Sequence, residues 1–104
     1  MSKALSEQTV LVTGAGRGFG AAIASAFARQ GAKVVINYRN SKAAAETLAA
    51  NLGDRVIALQ ADVQKADDVT KMVKQAEADV GPITTVIHNA LADYSFNGDA
   101  RSSV

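Results

Sequence analysis

Four short apolar, β-branched runs alternate along the chain with three longer amphipathic stretches, and that alternation leaves few folds open. Thr9-Val10-Leu11-Val12, Lys33-Val34-Val35-Ile36-Asn37-Tyr38, Arg55-Val56-Ile57-Ala58-Leu59-Gln60 and Thr84-Thr85-Val86-Ile87-His88 read as strands. Between the first two, residues 21–30 read as an alanine-rich helix with Ile23, Ala26 and Phe27 on one face and Gly31 as its C-cap. A second helix is expected from an N-cap at Ser41 through Ala43, Ala44, Leu48 and Leu52 to a stop at Gly53. Val69, Met72, Val73, Ala76 and Val80 recur at helical spacing and mark one face of a third helix, which Gly81-Pro82 breaks. The order βαβαβαβ with short connections predicts an α/β fold, a parallel sheet with right-handed crossovers. Beyond Asn89 the periodicity stops, and residues 91–104 read as a polar, loop-like tail with a turn signal at Asn97-Gly98. No repeat or linker divides residues 1–104, so a single domain is expected.

The first strand runs directly into Thr13-Gly14-Ala15-Gly16-Arg17-Gly18-Phe19-Gly20, and the first helix follows it. A glycine-rich turn between a strand and a helix is a phosphate-binding device. Its glycines allow a tight turn and close approach of backbone to a diphosphate, while the helix N-terminus offers N–H groups and the positive end of its dipole. The stretch fits two registers: Gly16, Gly18 and Ala21 match G-x-G-x-x-A, and Thr13-Gly14 with Gly18 and Gly20 matches T-G-x-x-x-G-x-G. The strand runs out at Val12 or Thr13, which makes Gly14 the first turn glycine and selects the second register. Either way the turn proposes a dinucleotide.

Composition removes the competing chemistries. The chain contains no cysteine, which excludes disulfides, thiolate metal sites and cysteine nucleophiles, and its one histidine leaves no histidine-based zinc site. A net charge of +1 argues against a nucleic-acid footprint or a polybasic membrane patch. The N-terminal Met1-Ser2-Lys3-Ala4-Leu5-Ser6-Glu7-Gln8 has no apolar core for a secretory signal, and no run approaches the ~20 apolar residues of a membrane span. A soluble, cytoplasmic protein without nucleic-acid or membrane partners is therefore expected.

In the second register the glycine motif resembles that of the short-chain dehydrogenase/reductase family, in which T-G-x-x-x-G-x-G follows the first strand. The resemblance extends from Thr9 to about Asn89 and is similar to the cofactor half of NADP-dependent 3-oxoacyl-carrier-protein reductases. It implies a Rossmann-type, doubly wound sheet of strand order 3-2-1-4. It also implies cofactor contacts from Gly14, Gly18, Phe19 and Gly20.

The end of the second strand bears on which nicotinamide cofactor is taken. An NAD-preferring site places an acid about 20 residues downstream to accept from the ribose 2′-OH. Here the chain reads Asn37-Tyr38-Arg39-Asn40-Ser41, with no acid before Glu46. A guanidinium can instead hold a 2′-phosphate bidentately. Arg39 is the first choice for that grip and Arg17 the second, with Asn40 and Ser41 as further donors, and NADP is favoured over NAD. At the third strand end the resemblance implies that Asp62 accepts from the adenine amine beside an apolar Val63. At the fourth, the family's N-N-A-G reads His88-Asn89-Ala90-Leu91. Asn89 and Ala90 match, whereas Leu91 removes the conformational freedom of glycine. His88 is read as a strand-end histidine because nothing pairs with it in sequence.

In the family, hydride transfer uses a downstream Asn, a Ser and a Tyr-x-x-x-Lys pair, all expected beyond Val104. Tyr38-Arg39-Asn40-Ser41-Lys42 is a literal match to the last motif. It is rejected because it opens a helix at the adenosine end, and Ser25 does not rescue it. Residues 1–104 are thus read as a cofactor-binding portion, catalytic only with its missing half and a small-molecule substrate. The alternative is a stand-alone module that binds or senses NADP without catalysis. A fourth strand left as an apolar edge invites pairing with another copy, so a homo-oligomer is expected. Tyr94 and Phe96 are read as turn packing, with the start of a substrate-side loop as the alternative.

Overall fold

A computed structural model describes residues 4–15 and 18–89. The four apolar runs become β1 (Thr9–Val12), β2 (Lys33–Tyr38), β3 (Val56–Gln60) and β4 (Thr85–Ile87), paired in parallel in the order β3-β2-β1-β4. Val10 lies beside Val34 and Thr85, Val12 beside Ile36 and Ile87, and Tyr38 beside Gln60. This is the expected strand order. Parallel strands covered on both faces should be apolar at every position, and every residue of β1 is buried.

The helices are α1 (Gly18–Arg29), α2 (Lys42–Leu52) and α3 (Ala66–Asp79). Alternate strand residues point to opposite faces, which divides the core in two. Val10, Val12, Val34 and Ile36 pack with Ala24 of α1 and with Ala45 and Ala49 of α2. Leu11 and Val35 pack on the other face with Met72 and Ala76 of α3. The stripe expected on α3 is the one that faces inward: Met72 and Ala76 are buried, and Val69, Val73 and Val80 half-buried.

Several local expectations are corrected. α1 begins at Gly18 rather than at residue 21, and Ala26 is exposed while Ala24 is buried with Ile23 and Phe27 against the sheet. Ala43 and Ala44 are exposed, and Ala45 and Ala49 take the inward positions of α2. Ser41 precedes α2 but makes no side-chain capping bond; its carbonyl accepts from the Ala45 N–H instead. Gly53 does close the helix, at φ 110 with its N–H on the Ala49 carbonyl. A short 3-10 turn, Leu5–Glu7, precedes β1 and was not expected. The tail from 91 to 104, with Leu91, Tyr94, Phe96 and Asn97-Gly98, lies outside the described residues.

Candidate functional site

Parallel strands bring all four C-terminal ends to one side of the sheet, and there Gly14, Arg39, Asp62, Val63 and Asn89 of the residues singled out in the sequence line one cleft. Beyond β1, the Thr13 N–H donates to the Ile87 carbonyl at 3.0 Å and the Ala15 N–H to the Asn37 carbonyl at 2.8 Å. Gly14 makes the turn between them at φ +62, a region that side chains other than glycine resist. Gly18 opens α1 at φ +68, and among the described residues nothing lies within 4 Å of where a Cβ would stand. Gly20 is the tight contact: a Cβ there would lie 2.7 Å from the Gly14 carbonyl oxygen and 2.8 Å from Ala15 Cα. The absent side chain lets the first turn of α1 sit directly on the β1 turn. Phe19, between the two glycines, is 64% exposed.

Asn37 holds this turn from below, a role the sequence reading missed. Its Oδ1 accepts the Gly14 N–H at 3.1 Å, and its Nδ2 donates to the Ala61 carbonyl at 3.1 Å and the Tyr38 carbonyl at 3.5 Å. One buried amide thus ties together the ends of β1, β2 and β3. The available signal was an uncharged polar residue closing an otherwise apolar strand, since buried polar groups are retained where they are fully hydrogen-bonded.

The fourth strand end is latched to the same turn. The Asn89 N–H donates to Thr13 Oγ1 at 3.0 Å and Asn89 Nδ2 to the Gly14 carbonyl at 3.2 Å. His88 Nδ1 lies 3.1 Å from Thr13 Oγ1, so the histidine without a partner in sequence has one in space.

Arg39 stands at the end of β2, mostly exposed, and its Nε lies 3.8 Å from Oδ2 of Asp62. The strand-two end carries no acid of its own, yet the fold delivers one from β3. With Arg39 exposed to solvent and Asp62 mostly covered, a pair at this distance contributes little to stability, about 0–1 kcal/mol, but it sets the local charge. Asp62 Oδ1 also accepts the Gln64 N–H at 3.0 Å, and the Asp62 N–H donates to Asp68 Oδ2 at 3.0 Å, which orders the turn into α3. Thr13, Gly14, Arg39, Asp62, Val63 and Asn89 line one cleft. Asn40 is exposed and Ser41 half-buried just beyond Arg39; Arg17 and Ala90 lie outside the described residues.

Tyr38 of the rejected Y-x-x-x-K match is 7% exposed and packs in the core, and Ser25 Oγ donates to the Ala21 carbonyl within α1. Neither faces the cleft. Among the described residues no helix is long and apolar enough to cross a membrane, and no group of three or more His, Cys, Asp or Glu side chains could hold a metal.

The family model of short chain dehydrogenases matches residues 8–99. Versicolorin reductase of Emericella nidulans is 48% identical over 89 residues, which are 83% of this chain and 34% of that protein. The 3-ketoacyl-(acyl-carrier-protein) reductase of Brucella melitensis, solved with NADH, is 43% identical with a TM-score of 0.75, over 79% of this chain and 34% of that one. The alternative dihydrofolate reductase FolM of Brucella canis, solved with NADP, is 33% identical with a TM-score of 0.74, over 81% and 35%. The chain spans about a third of the length of the curated relatives it matches.

Proposed function

The chain belongs to the short-chain dehydrogenase/reductase family, and from that premise we propose that it is the NADP(H)-binding portion of an oxidoreductase that transfers hydride between the nicotinamide and a carbonyl or alcohol substrate. The observation that carries this reading is Arg39 in one cleft with the Gly14 turn, on a strand end that lacks the acid an NAD site uses. The residues present fit the group: no described residue crowds the Cβ position at Gly18, Gly18 and Phe19 are exposed at the start of α1, and the cleft carries Arg39 and Asp62. When bound, the cofactor supplies the hydride. Arg39 takes the 2′-phosphate, the Gly14–Gly20 turn the diphosphate, and Asp62 with Val63 the adenine. A 3-oxoacyl thioester is the proposed substrate class, supported by the similarity to a 3-ketoacyl reductase. No described residue is assigned a proton-transfer role.

Asp62 at 3.8 Å offsets part of the charge that Arg39 presents, so the phosphate competes with a carboxylate for the guanidinium. A hydrogen bond to a charged group is worth about 1.5–3 kcal/mol, or roughly tenfold and upward in affinity. Titration of the 104-residue chain is expected to show NADPH binding about tenfold or more tightly than NADH, with Arg39→Asp abolishing the difference. Equal affinities in the parent chain, or an unchanged preference in the variant, would overturn the NADP reading.

We also propose self-association. β4 pairs only with β1 among the described residues, and Val86 on it is 58% exposed. An apolar strand with an open edge favours pairing with another chain. Light scattering over a concentration series should show mass rising above the monomer, and a monodisperse monomer throughout would refute the proposal.

A further inference from the structure

The contact between His88 and Thr13 joins a titratable ring to the glycine turn. A threonine hydroxyl has one hydrogen to donate and two lone pairs to accept with. At Thr13, which is 6% exposed, one lone pair takes the Asn89 N–H at 3.0 Å, and the remaining contact is His88 Nδ1 at 3.1 Å. We propose that His88 is a positioning residue of the cofactor site, setting the direction of the Thr13 hydroxyl and the charge beside the glycine turn. The inference rests on the NADP(H) reading of the cleft.

Neutral His88, with its proton on Nε2, accepts the Thr13 hydroxyl hydrogen at Nδ1 and holds it toward β4. Protonated His88 donates into Oγ1, which still accepts from Asn89, and the hydroxyl hydrogen is released. The second state adds one positive charge to the cleft that Gly14 and Arg39 line, so it favours an anionic ligand there. His88 itself lines the cleft with Thr13 and Asn89. The charged side chains lining the cleft with it are Arg39 from the β2 end and Asp62 from the β3 end. Those two are paired with each other at 3.8 Å. β1 contributes only the uncharged Thr13 and Gly14 there.

Linkage requires that a proton and a ligand change each other's affinity by the same factor. Imidazole changes charge between about pH 5 and pH 8, and the chain has one histidine, which gives one ring spectrum to follow. NADPH dissociation constants are to be measured at about pH 5.5 and pH 8 for the full chain and for His88→Asn, which keeps a hydrogen-bonding group and cannot titrate. A cofactor phosphate also takes up a proton near pH 6, so the comparison of the two proteins isolates the ring. The weakening between the two pH values is expected to be about three- to tenfold greater with His88 than with Asn. NADPH should raise the midpoint of the imidazole resonance titration by the matching amount, about 0.5–1 pH unit. Thr13→Ser should keep the effect and Thr13→Val should lose most of it. The same pH profile in the parent chain and His88→Asn overturns the inference while leaving the cofactor reading intact. A full effect in Thr13→Val overturns the role of the hydroxyl. No NADPH binding at either pH overturns the cofactor reading, and this inference with it.

Discussion

Gly20→Ala is expected to destabilise the protein by about 3 kcal/mol or more, the upper end of overpacking costs. The sign is the informative part. Gly20 lies within α1, where alanine is ordinarily better than glycine by about 1 kcal/mol. Without a close contact the substitution would therefore stabilise. The new Cβ would meet Asn89 Nδ2 at 2.6 Å, the Gly14 carbonyl oxygen at 2.7 Å and Ala15 Cα at 2.8 Å. Two of the three are backbone atoms, which cannot rotate away, and the third is half of the Asn89–Gly14 hydrogen bond. α1 must lift off the β1 turn, and the latch to β4 opens with it. For a domain of ~100 residues such a loss lowers the melting temperature by roughly 10–20 °C. Thermal unfolding followed by circular dichroism measures it directly. Gly18→Ala is the comparison: its Cβ meets no described residue within 4 Å, so the φ of +68 is what resists it, at a cost of about 1–2 kcal/mol. An unchanged or raised melting temperature for Gly20→Ala would show that the close packing of helix on turn does not exist in solution.

Sequence legibility followed the size of the side chains that carry the pattern. β1 and β2 run over the residues expected of them because Val10, Val12, Val34 and Ile36 are bulky, branched and bounded by polar or glycine residues. The α3 stripe was readable because charged and polar residues separate Val69, the Met72-Val73 pair and Ala76, which fixes the helical phase. In α1 and α2 the phase was lost among alanines: Ala24 and Ala26, or Ala43, Ala44 and Ala45, look alike in sequence and differ only in which faces the sheet. The start of α1 was placed late because Gly18 and Gly20 read as turn, whereas packing against the β1 turn holds Gly20 in the helix. The strand ends that carry the motif positions were legible one at a time. Their encounters were not. Arg39 meets Asp62 across the β2–β3 pairing, and Thr13 meets His88 across β1 and β4, 75 residues on. Such contacts follow from strand order and register, which local pattern specifies only indirectly.

Asn37→Asp is isosteric and nevertheless expected to cost about 3 kcal/mol or more at pH 7, the scale of an uncompensated buried charge. The amide at position 37 is used in both senses, accepting from the Gly14 N–H and donating to the Ala61 and Tyr38 carbonyls. A carboxylate keeps the first bond and turns its other oxygen toward the two carbonyl oxygens, in a site 2% exposed. Burial and the facing carbonyls favour the neutral acid, which can still donate to one of them, so the folded state holds the proton more tightly than the unfolded chain. For an acid whose folded pKa is raised, stability is greatest at low pH and falls as pH rises above the ordinary aspartate value of about 3.9. The loss relative to the parent chain should therefore be larger at pH 7.5 than at pH 4.5. Asn37→Leu removes all three bonds without adding a charge, so its deficit should be nearly the same at both. Urea unfolding of the three proteins at the two pH values separates the cases. A pH-independent deficit in Asn37→Asp would mean that the carboxylate reaches water, and that the ends of β1, β2 and β3 are not drawn together by this one side chain. The expected result would place the rigidity of the glycine turn in a buried side chain of the neighbouring strand. Gly14 would then be held ready for its ligand by an amide at the end of the neighbouring strand, 23 residues on.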